Sequence, residues 1–414
     1  MKKILWISPL APYDTVGHAG GKNHNYYLKY VVSQKKFDVK LLSMCTPEEL
    51  GKLDLDKYGI KNNIFCIPEK GVQNLMKKIV NVESTLNPLN PGHKKLSNYA
   101  RICFAALIRR NAADVKNADI IVCQWTESLL IYSLLHKYVR KDAKFVAIEE
   151  DVSYLGYQRK VLYSGNFLSR LYWKMQYAGL KRKELDLLKR CNFVVTTNQK
   201  DLALLKKDGI PENKLFSMIP YFDDYFQVDR NDTDKYMILY YGAMDRKENH
   251  SAAIWFVKEV LPLLDERFQF VIIGSKPKEN LLKLRSERVI VKGFVKNVSE
   301  YFAKCLCMAV PLMLGAGIKI KILEAMSAGI PVLTNNIGIE GIYARDEEEY
   351  LHCTTKEEYA AKIQMLCEGK IDGGILGKNA KRFIEDRFNI ASAAREFMNH
   401  LESLLHEPYN GKQE

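Results

Sequence analysis

Short apolar runs recur along the whole chain and are separated by amphipathic or polar segments. Most of the runs are continuous rather than alternating, which is typical of parallel strands that helices cover on both faces. Segments such as 24–33 and 127–139 lie between the runs and show helical periodicity. The predicted strands are 3–8, 39–44, 64–67, 120–124, 145–148, 193–197, 215–219, 237–241, 270–273, 289–291, 306–311 and 332–334. The pattern therefore predicts an α/β protein with doubly wound parallel sheets.

The polar stretch "QVDRNDTDK" at 227–235 interrupts this alternation, which restarts after it. A chain of 414 residues is longer than one hydrophobic core usually serves. We therefore predict two Rossmann-like domains, residues 1–226 and residues 227–386. Ligands of such folds bind beyond the carboxyl ends of the strands and often in a cleft between domains.

Composition narrows the class of protein. A hydrophobic fraction of 47% is that of a folded globular chain. The nine cysteines show no C-x-x-C spacing, so we expect reduced core thiols in a cytoplasmic protein and no zinc site. The apolar run in "MKKILWISPLAP" is too short for a signal peptide, and no segment approaches the roughly 20 apolar residues that span a bilayer. We expect a protein that is soluble or peripheral at the inner membrane face.

The formal net charge of +13 is concentrated in the segment 154–190. Its basic residues outnumber Glu184 and Asp186 and are Arg159, Lys160, Arg170, Lys174, Lys181, Arg182, Lys183, Lys189 and Arg190. Its aromatic residues are Tyr154, Tyr157, Tyr163, Phe167, Tyr172, Trp173 and Tyr177. This mixture suits an anionic membrane surface, and it also suits a solvated helix face with buried aromatics. Nucleic acid is disfavoured because no recognisable binding motif accompanies the charge.

The stretch "GAGIKIKILEAMSAGIPVL" at 315–333 reads as a glycine loop, a helix and a strand that follow the apolar run 308–314. Backbone N–H groups of such a loop and the positive end of the helix dipole suit a phosphate. Lys319 and Lys321 lie in the first turn, where the dipole disfavours cations unless an anion is also present. We interpret the stretch as an anion cradle. In the alternative interpretation the lysines extend to solvent, and Glu324 pairs with Lys321 at i, i+3.

Other predicted strands also end in glycines. Gly20 and Gly21 precede a predicted helix, Gly242 follows the first strand of the second domain, and Gly274 and Gly293 follow later strands. A single glycine after a strand usually marks only a turn, but the joint pattern indicates a ligand that carries phosphate. No G-x-G-x-x-G or P-loop motif occurs at these positions, which argues against dinucleotides and P-loop nucleotides.

The second half of the chain resembles the retaining glycosyltransferases of family 4, which have the GT-B architecture of two Rossmann-like domains facing across a cleft. The similar segments are "YYGAMDRKENHSAAIWFVKEVLP", "FQFVIIGS", "VIVKGFVKNVSEYFAKCLCMAVPL", "GAGIKIKILEAMSAGIPVLTNNIGIEGI" and "FIEDRFNIASAAREFMNHL". The segment "GHAGGKNHNYYLKYV" resembles the glycine-pair loop of that family. The resemblance is strong over 236–342 and loose before 236. It also leads us to expect that a C-terminal helix in 387–414 returns to the first domain.

The resemblance implies a role for individual residues. Glu324 matches the glutamate that binds the ribose of a nucleotide-sugar, with Lys319 and Lys321 as counter-charge to the diphosphate. Phe294 and Val295 match the backbone that contacts the base. The full donor-binding set that it implies is Gly20, Gly21, Gly242, Arg246, Phe294, Val295, Gly315, Gly317, Ile318, Lys319, Lys321 and Glu324.

The sequence departs from the family at two positions, and at a third the partner lysine, a few residues after the common arginine, is not clearly aligned. Ala316 stands where members have the first glutamate of a Glu-x₇-Glu pattern, and Ala243 stands where an arginine is common. In an active enzyme we expect Arg246, Lys247, Lys319 or Lys321 to replace the phosphate clamp. The losses are also compatible with a catalytically silent relative. We expect activity because Glu324 and both glycine loops are retained.

Catalysis requires stabilisation of the departing diphosphate, which Lys319 and Lys321 supply. Asp151, or failing that Glu150, is the candidate base at the end of "AIEED", although both carboxylates are equally compatible with helix capping. The Asp-x-Asp pairs at 54–56 and 232–234 fall in polar segments, so we expect no metal and no cofactor.

The expected function is retaining transfer of a sugar from a nucleotide-sugar donor to a saccharide or lipid-linked acceptor in cell-surface glycan synthesis. The alternatives are a nucleotide-sugar epimerase, which needs no acceptor, and a non-catalytic GT-B subunit that supports a partner enzyme. Turnover by the purified protein distinguishes the three.

Overall fold

The computed structural model describes residues 1–69, 77–81, 95–162, 164–314 and 317–406. The chain divides into two compact units. Unit 1 comprises the described residues of Met1–Pro220 and Ala391–Glu414, and unit 2 comprises those of Tyr221–Ile390. Each unit is built around one parallel sheet.

The sheet of unit 1 has seven strands in the order β3-β2-β1-β4-β5-β6-β7, and every neighbouring pair is parallel. The order reverses direction at β1 and β4, the pattern of a doubly wound fold. Its strands are β1 (Lys2–Ile7), β2 (Phe37–Cys45), β3 (Lys61–Cys66), β4 (Ile120–Gln124), β5 (Lys144–Glu149), β6 (Phe193–Thr196) and β7 (Leu215–Ser217).

The sheet of unit 2 has six parallel strands in the order β10-β9-β8-β11-β12-β13. Its strands are β8 (Asp234–Tyr241), β9 (Gln269–Ile273), β10 (Val289–Gly293), β11 (Cys305–Val310), β12 (Val332–Thr334) and β13 (Leu351–His352). The predicted α/β class with two doubly wound sheets is confirmed. The sequence did not predict β13, because two residues are too few to form a recognisable apolar run.

Helices connect the strands in both units. Those of unit 1 are Ala19–Ser33, Pro47–Leu50, Asn98–Arg110, Ala112–Asn117, Trp125–Leu129, Tyr132–Leu135, Ser153–Leu162, Phe167–Arg190 and Gln199–Lys207, and Ile390–Ser403 joins them from the C-terminal end. Those of unit 2 are Lys247–Trp255, Glu279–Leu282, Ser299–Lys304, Ile320–Ser327, Lys356–Cys367 and Gly373–Arg387.

The two faces of the first sheet explain why its strands have continuous apolar sequences. Ile4 and Trp6 of β1 belong to one buried cluster, whereas Leu5 and Ile7 belong to another. Successive side chains of a strand point to opposite faces, so a strand covered on both sides is apolar throughout. Helix Ile390–Ser403 contributes Phe397 to the cluster around Trp6, and it therefore covers one face of the first sheet.

Two local predictions are wrong. The single helix expected over 127–139 is two short helices, Trp125–Leu129 and Tyr132–Leu135. Leu129, Leu130 and Ile131 are consecutive and all buried, so this segment packs into the core on more than one side and does not keep a single helical face. The alternation was expected to restart after the polar stretch 227–235, but β8 already begins within it, at Asp234.

All nine cysteines are free thiols, and seven of them are buried. Among the described residues, no helix combines the length and the apolar character needed to cross a membrane.

Candidate functional site

In unit 2 the site predicted from the sequence lies where two neighbouring strands end. β8 and β11 are adjacent and parallel, so Gly242, which follows β8, and the loop after β11 emerge at the same edge of the sheet. Helix Ile320–Ser327 begins directly after that loop, with Lys319 at its N-cap position. This edge brings a glycine, a loop and a helix N-terminus together.

Lys321 is the cation at the centre of this edge. Its Nζ donates a hydrogen bond to Oδ1 of Asn249 and lies 4.9 Å from the ring centroid of Tyr240. Asn249 in turn donates through Nδ2 to the carbonyl of Ala243, at 2.8 Å. Burial lowers the pKa of Lys321 to about 7, and the nearby positive charges of Lys319 and Arg246 act in the same direction. A half-buried lysine with a depressed pKa is a site that an anion would stabilise.

Gly242 is required for this arrangement. A Cβ atom at position 242 would lie 2.8 Å from Lys321 Nζ and 2.9 Å from Asn249 Nδ2, closer than real Cβ contacts. Gly274, at the end of β9, lies against the same turn, since a Cβ there would be 1.7 Å from the carbonyl oxygen of Gly242. The glycines that the sequence singled out after β8 and β9 therefore allow backbone and lysine to approach each other closely.

Lys319 lies beside the loop. Its side chain is 9% exposed, its Nζ donates to the carbonyl of Gly317, and it is 3.8 Å from Oε2 of Glu340. Gly317 has φ +70°, a left-handed conformation that glycine adopts without strain. Two lysines thus lie at the first turn of one helix, as predicted.

Glu324 is one turn further along the same helix and is 2% exposed. The hydroxyl of Tyr241, at the end of β8, is hydrogen-bonded to it. Burial raises the pKa of Tyr241 and of Tyr225, and the charge of Glu324 adds to both effects. The carboxylate is therefore held on the side of the helix that faces the end of β8.

Other predicted donor residues lie in more open positions. Arg246 is 61% exposed, and its guanidinium is 3.8 Å from Glu248. Phe294 is 75% exposed just after β10, and Val295 is half-buried. The side chain of Ile318 packs near Gly341, where an added Cβ would lie 3.0 Å from Ile318 Cγ1. Gly315 and the family departure Ala316 lie outside the described residues.

Sequence reasoning missed Asn249, which holds Lys321 from 72 positions away. Asn249 is only 5% exposed in helix Lys247–Trp255. A buried asparagine on a helix one turn after a glycine loop is the signal that would have found it, since buried polar side chains have partners.

In unit 1 the glycine pair begins helix Ala19–Ser33. Nδ1 of His18 caps this helix by accepting a hydrogen bond from the N–H of Gly21, at 3.0 Å. A Cβ at Gly20 would lie 3.3 Å from the indole of Trp125 and 3.4 Å from Cγ of Glu150. The absence of a side chain at position 20 lets the start of the helix lie directly against both residues.

The two candidate bases differ in their surroundings. Glu150 is 9% exposed and accepts two hydrogen bonds of 2.8 Å, from Asn23 Nδ2 and from Gln124 Nε2. Burial raises its pKa to about 8, and the charge of neighbouring Asp151 adds to the shift. Asp151 itself is exposed. At neutral pH Glu150 is therefore suited to donate a proton or a hydrogen bond.

His24 and Trp125 form an aromatic corner beside Glu150. His24 is 1% exposed on helix Ala19–Ser33 and is stacked on Trp6 with ring centroids 5.8 Å apart. Burial lowers its pKa to about 3, so it is neutral. Trp125 contacts it edge-on at 5.5 Å and has φ +62°, which is a strained value for a bulky residue. Nothing in the local sequence indicated that conformation.

Comparison with known proteins bears on both units. Residues 235–369 match the family model described as glycosyl transferases group 1. Over 291 residues, 66% of this chain and 72% of the other, the protein is 22% identical to an uncharacterized 44.6 kDa protein in the cps region of Klebsiella pneumoniae.

Among solved structures, the fold is similar to Alr3699/HepE of Anabaena in complex with UDP and glucose, with a TM-score of 0.62 and 13% identity over 97% of this chain and all of that one. It is also similar to sucrose-phosphate synthase of Thermosynechococcus elongatus, with a TM-score of 0.67 and 13% identity over 98% of this chain and all of that one. These likenesses extend over both units and concern the fold. Residues 235–369 therefore match the glycosyl transferases of group 1, the fold of the chain is similar to that of these solved GT-B proteins, and together the two findings indicate a glycosyltransferase.

Proposed function

We propose that the protein is a retaining glycosyltransferase of family 4 that moves a sugar from a nucleotide-sugar to a saccharide or lipid-linked acceptor. The observation that carries the proposal is the convergence of Lys319, Lys321, Glu324 and Gly242 on the carboxyl edge of β8 and β11. Two relatives support the choice of donor and product. The Anabaena structure holds UDP and glucose, and the Klebsiella protein is encoded in a cps region.

The donor diphosphate fits beside the two lysines. Lys321 is half-buried next to Gly242, which has no side chain, and Lys319 lies at the helix start where the dipole also favours an anion. Arg246 is exposed just before helix Lys247–Trp255, and its positive charge lowers the pKa of Lys321. We assign these three cations to the diphosphate, together with the backbone N–H groups of Gly317 and Ile318.

Glu324 fits the ribose. It lies one turn beyond Lys321, and the hydroxyl of Tyr241 is hydrogen-bonded to it. A carboxylate accepts two hydroxyl hydrogen bonds in one plane, the geometry that the 2′- and 3′-hydroxyls of a ribose offer. The exposed backbone at Phe294 and Val295 is assigned to the base.

In the proposed reaction the bond between the anomeric carbon and the diphosphate breaks with the electron pair leaving on phosphate oxygen. Lys319, Lys321 and the loop amides stabilise that developing charge. The sugar passes through a cation-like state, and the acceptor hydroxyl attacks from the side that the diphosphate leaves, which retains configuration. The acceptor proton goes to the departing phosphate or to Asp151, the exposed carboxylate at the end of β5.

The acceptor is assigned to unit 1. Gly20, Gly21, Trp125 and Glu150 form one corner in which a protonated Glu150 offers a hydrogen bond beside an indole face. We place the reaction in cell-surface glycan synthesis at the cytoplasmic side of the membrane.

Turnover by the purified chain tests this proposal. A panel of nucleotide-sugars is first ranked by thermal shift, and transfer to acceptor extracts is then followed by mass spectrometry. We expect Lys319→Ala or Lys321→Ala to lower turnover about 100-fold, since one electrostatic donor is typically worth this much. Lys283→Ala, which is 72% exposed in the same unit, serves as the control, and excess EDTA should leave the rate unchanged.

The alternatives give different results. Free sugar released from the donor at the full rate without acceptor would indicate an epimerase. If the protein binds the donor but neither transfers the sugar nor slowly hydrolyses the donor in any extract, it is a non-catalytic subunit. Either result rejects the proposal.

A second experiment distinguishes the two carboxylates. If Asp151 takes the proton, Asp151→Asn lowers turnover and removes the acidic limb of the pH profile, whereas Glu150→Gln, which keeps a hydrogen-bond donor, changes the KM for acceptor more than kcat. The reverse pattern would assign the base to Glu150.

A further inference from the structure

A cluster of exposed apolar side chains lies in unit 1, around the start of helix Phe167–Arg190. The exposed fractions are 77% for Phe167, 76% for Leu168, 46% for Leu171 and 48% for Met175. Leu162, at the end of helix Ser153–Leu162, is 67% exposed. We call these five residues the apolar patch. Single exposed apolar residues are ordinary, but a contiguous group of large ones marks a surface that binds something.

The patch occupies one face of its helix. At 3.6 residues per turn, the four patch residues of helix Phe167–Arg190 fall within an arc of about 100°. The opposite face is the one that packs inward, and its buried residues are Gln176, Leu180, Glu184 and Leu188. The inward face of the helix is thus part polar and packs into unit 1, whereas the four patch residues form an apolar face that points away from it.

The charge around the patch has one sign. Between residues 152 and 183 the sequence has no Asp or Glu, and its basic residues are Arg159, Lys160, Arg170, Lys174, Lys181, Arg182 and Lys183. Arg170 and Lys174 are exposed and follow one edge of the patch, each next to a patch residue on the helix surface. An apolar face bordered by cations and free of acids is complementary to an anionic lipid surface.

The aromatic residues of this segment do not form the surface that the sequence suggested. Tyr154 is 1% exposed and Tyr157 is 5% exposed, so both belong to the core. Nζ of Lys160 lies 4.4 Å from the ring centroid of Trp173. Tyr163 lies outside the described residues. The exposed groups are aliphatic side chains and Phe167, which periodicity alone did not distinguish from core residues.

We propose that this face of unit 1 docks on an anionic lipid bilayer. The apolar patch enters the boundary between headgroups and acyl chains, while Arg170 and Lys174 contact lipid phosphates. A lipid surface is favoured over nucleic acid, because nucleic acid offers no apolar phase for Leu162, Leu168 and Leu171. The surface is independent of the donor chemistry proposed above, although a lipid-linked acceptor would be presented at the same membrane.

Sedimentation of the full chain with vesicles tests the proposal. We expect binding to phosphatidylcholine vesicles that contain phosphatidylglycerol, weaker binding to phosphatidylcholine alone, and a decrease as salt is raised. The double variant Arg170→Gln, Lys174→Gln should weaken binding to the anionic vesicles about fivefold for each charge. The double variant Leu168→Ser, Leu171→Ser should weaken it about tenfold and leave less residual binding at high salt.

Matched variants in unit 2 separate this surface from general effects. Ile375→Ser removes an apolar residue that is 60% exposed, and Lys283→Gln removes a charge that is 72% exposed. Neither should change vesicle binding. All variants should keep the wild-type circular dichroism and the donor-induced thermal shift, which makes a failure here distinguishable from a failure of the proposed enzyme.

Three results would overturn the proposal. The first is equal binding to both vesicle types at all salt concentrations, and the second is no binding to either type. The third is unchanged binding in both the Arg170→Gln, Lys174→Gln variant and the Leu168→Ser, Leu171→Ser variant. A patch variant that changes the molar mass in light scattering, without vesicles, would show instead that the patch contacts a second copy of the chain.

Discussion

At the scale of single residues, the unusual feature of this protein is a lysine held in a place that disfavours its charge. Lys321 has Asn249 as a hydrogen-bond acceptor and the face of Tyr240 nearby, and Glu248 contributes a favourable charge. These contacts do not offset the cost of burial, since the pKa of Lys321 is lowered to about 7. A protein that holds a cation in this way retains interaction energy for an incoming anion.

The first prediction concerns stability and pH. The pKa of Lys321 is about 7 when folded and 10.5 ordinarily, so between these values the unfolded chain binds the extra proton and stability rises with pH. Below about pH 7 both states are protonated, and the cost of the buried charge is fully present. Lys321→Met should therefore raise the free energy of unfolding by about 1 to 3 kcal/mol at about pH 6.5, and by less near pH 10.

Urea unfolding at both pH values measures this difference, with Lys283→Met as the exposed control. Donor binding should respond in the opposite sense. Since a bound diphosphate favours the charged lysine, affinity of the wild type should fall above about pH 7, and Lys321→Met should bind weakly at every pH. A variant that is less stable than the wild type at about pH 6.5 would contradict the burial argument.

The second prediction concerns the ribose. Glu324→Ala should weaken donor binding by about 1.5 to 3 kcal/mol, the range for a hydrogen bond to a charged group. Isothermal titration with the best donor measures the loss, and Glu300→Ala, which is exposed in the same unit, should bind normally. Unchanged affinity in Glu324→Ala would remove this residue from the site.

At the scale of elements, the site depends on turns that follow parallel strands. The turn after β8 and the end of β9 lie in direct backbone contact, because Gly274 has no Cβ to meet the carbonyl of Gly242. The same turn leaves room for Lys321 from helix Ile320–Ser327. The turn after β8, the end of β9 and helix Ile320–Ser327 thus pack closely at the edge of the sheet where Lys319 and Lys321 lie.

The third prediction compares two glycines. Gly274→Ala should destabilise the protein by about 2 to 4 kcal/mol, because its Cβ would lie 1.7 Å from a backbone oxygen and the two strand ends must separate. Gly293→Ala should cost only about 1 to 2 kcal/mol, since its φ of +73° is strained for alanine but nothing lies within 4 Å of the new Cβ. Thermal unfolding of the two variants shows which substitution costs more stability. Equal losses, or normal donor affinity in Gly274→Ala, would argue against this coupling of the turns.

At the scale of the whole molecule, the chain leaves unit 1 at Pro220 and returns to it at Ala391. Helix Ile390–Ser403 places Phe397 against Trp6 of the first strand and Tyr27 of the first long helix, with ring centroids 6.3 and 5.8 Å apart. The core of unit 1 therefore requires both ends of the sequence.

The fourth prediction follows from that closure. Phe397→Ala should reduce the stability of unit 1 by about 3 to 5 kcal/mol, the usual cost of emptying a buried phenylalanine site. Hydrogen exchange followed by mass spectrometry should show faster exchange in β1 and in helix Ala19–Ser33, with unit 2 unchanged. Met365→Ala, 38% exposed in unit 2, serves as the control. Faster exchange throughout unit 2 would contradict the assignment of this helix to unit 1.

The sequence by itself determined the fold class and most of the strands. Strands buried on both faces have continuous apolar runs, as Ile120–Gln124 shows, and this signal is local. The glycine loop and its two lysines were also readable, because a charge beside a glycine turn is conspicuous in an apolar segment. The segment 127–139 was misread because its consecutive apolar residues record burial but not the direction in which the chain turns.

Only the tertiary structure decided which groups meet. Lys321 and Asn249 are 72 positions apart, and Glu150 and Asn23 are 127 apart, so no local pattern links them. The tertiary structure also buried Tyr154, which carries a hydroxyl, while leaving the more apolar Phe167 and Leu168 exposed. The physical reason is that the spacing of apolar residues along a helix or strand indicates only which of its faces is buried. The residues that pack against that face come from segments far away in the sequence, and they meet only when the whole unit folds.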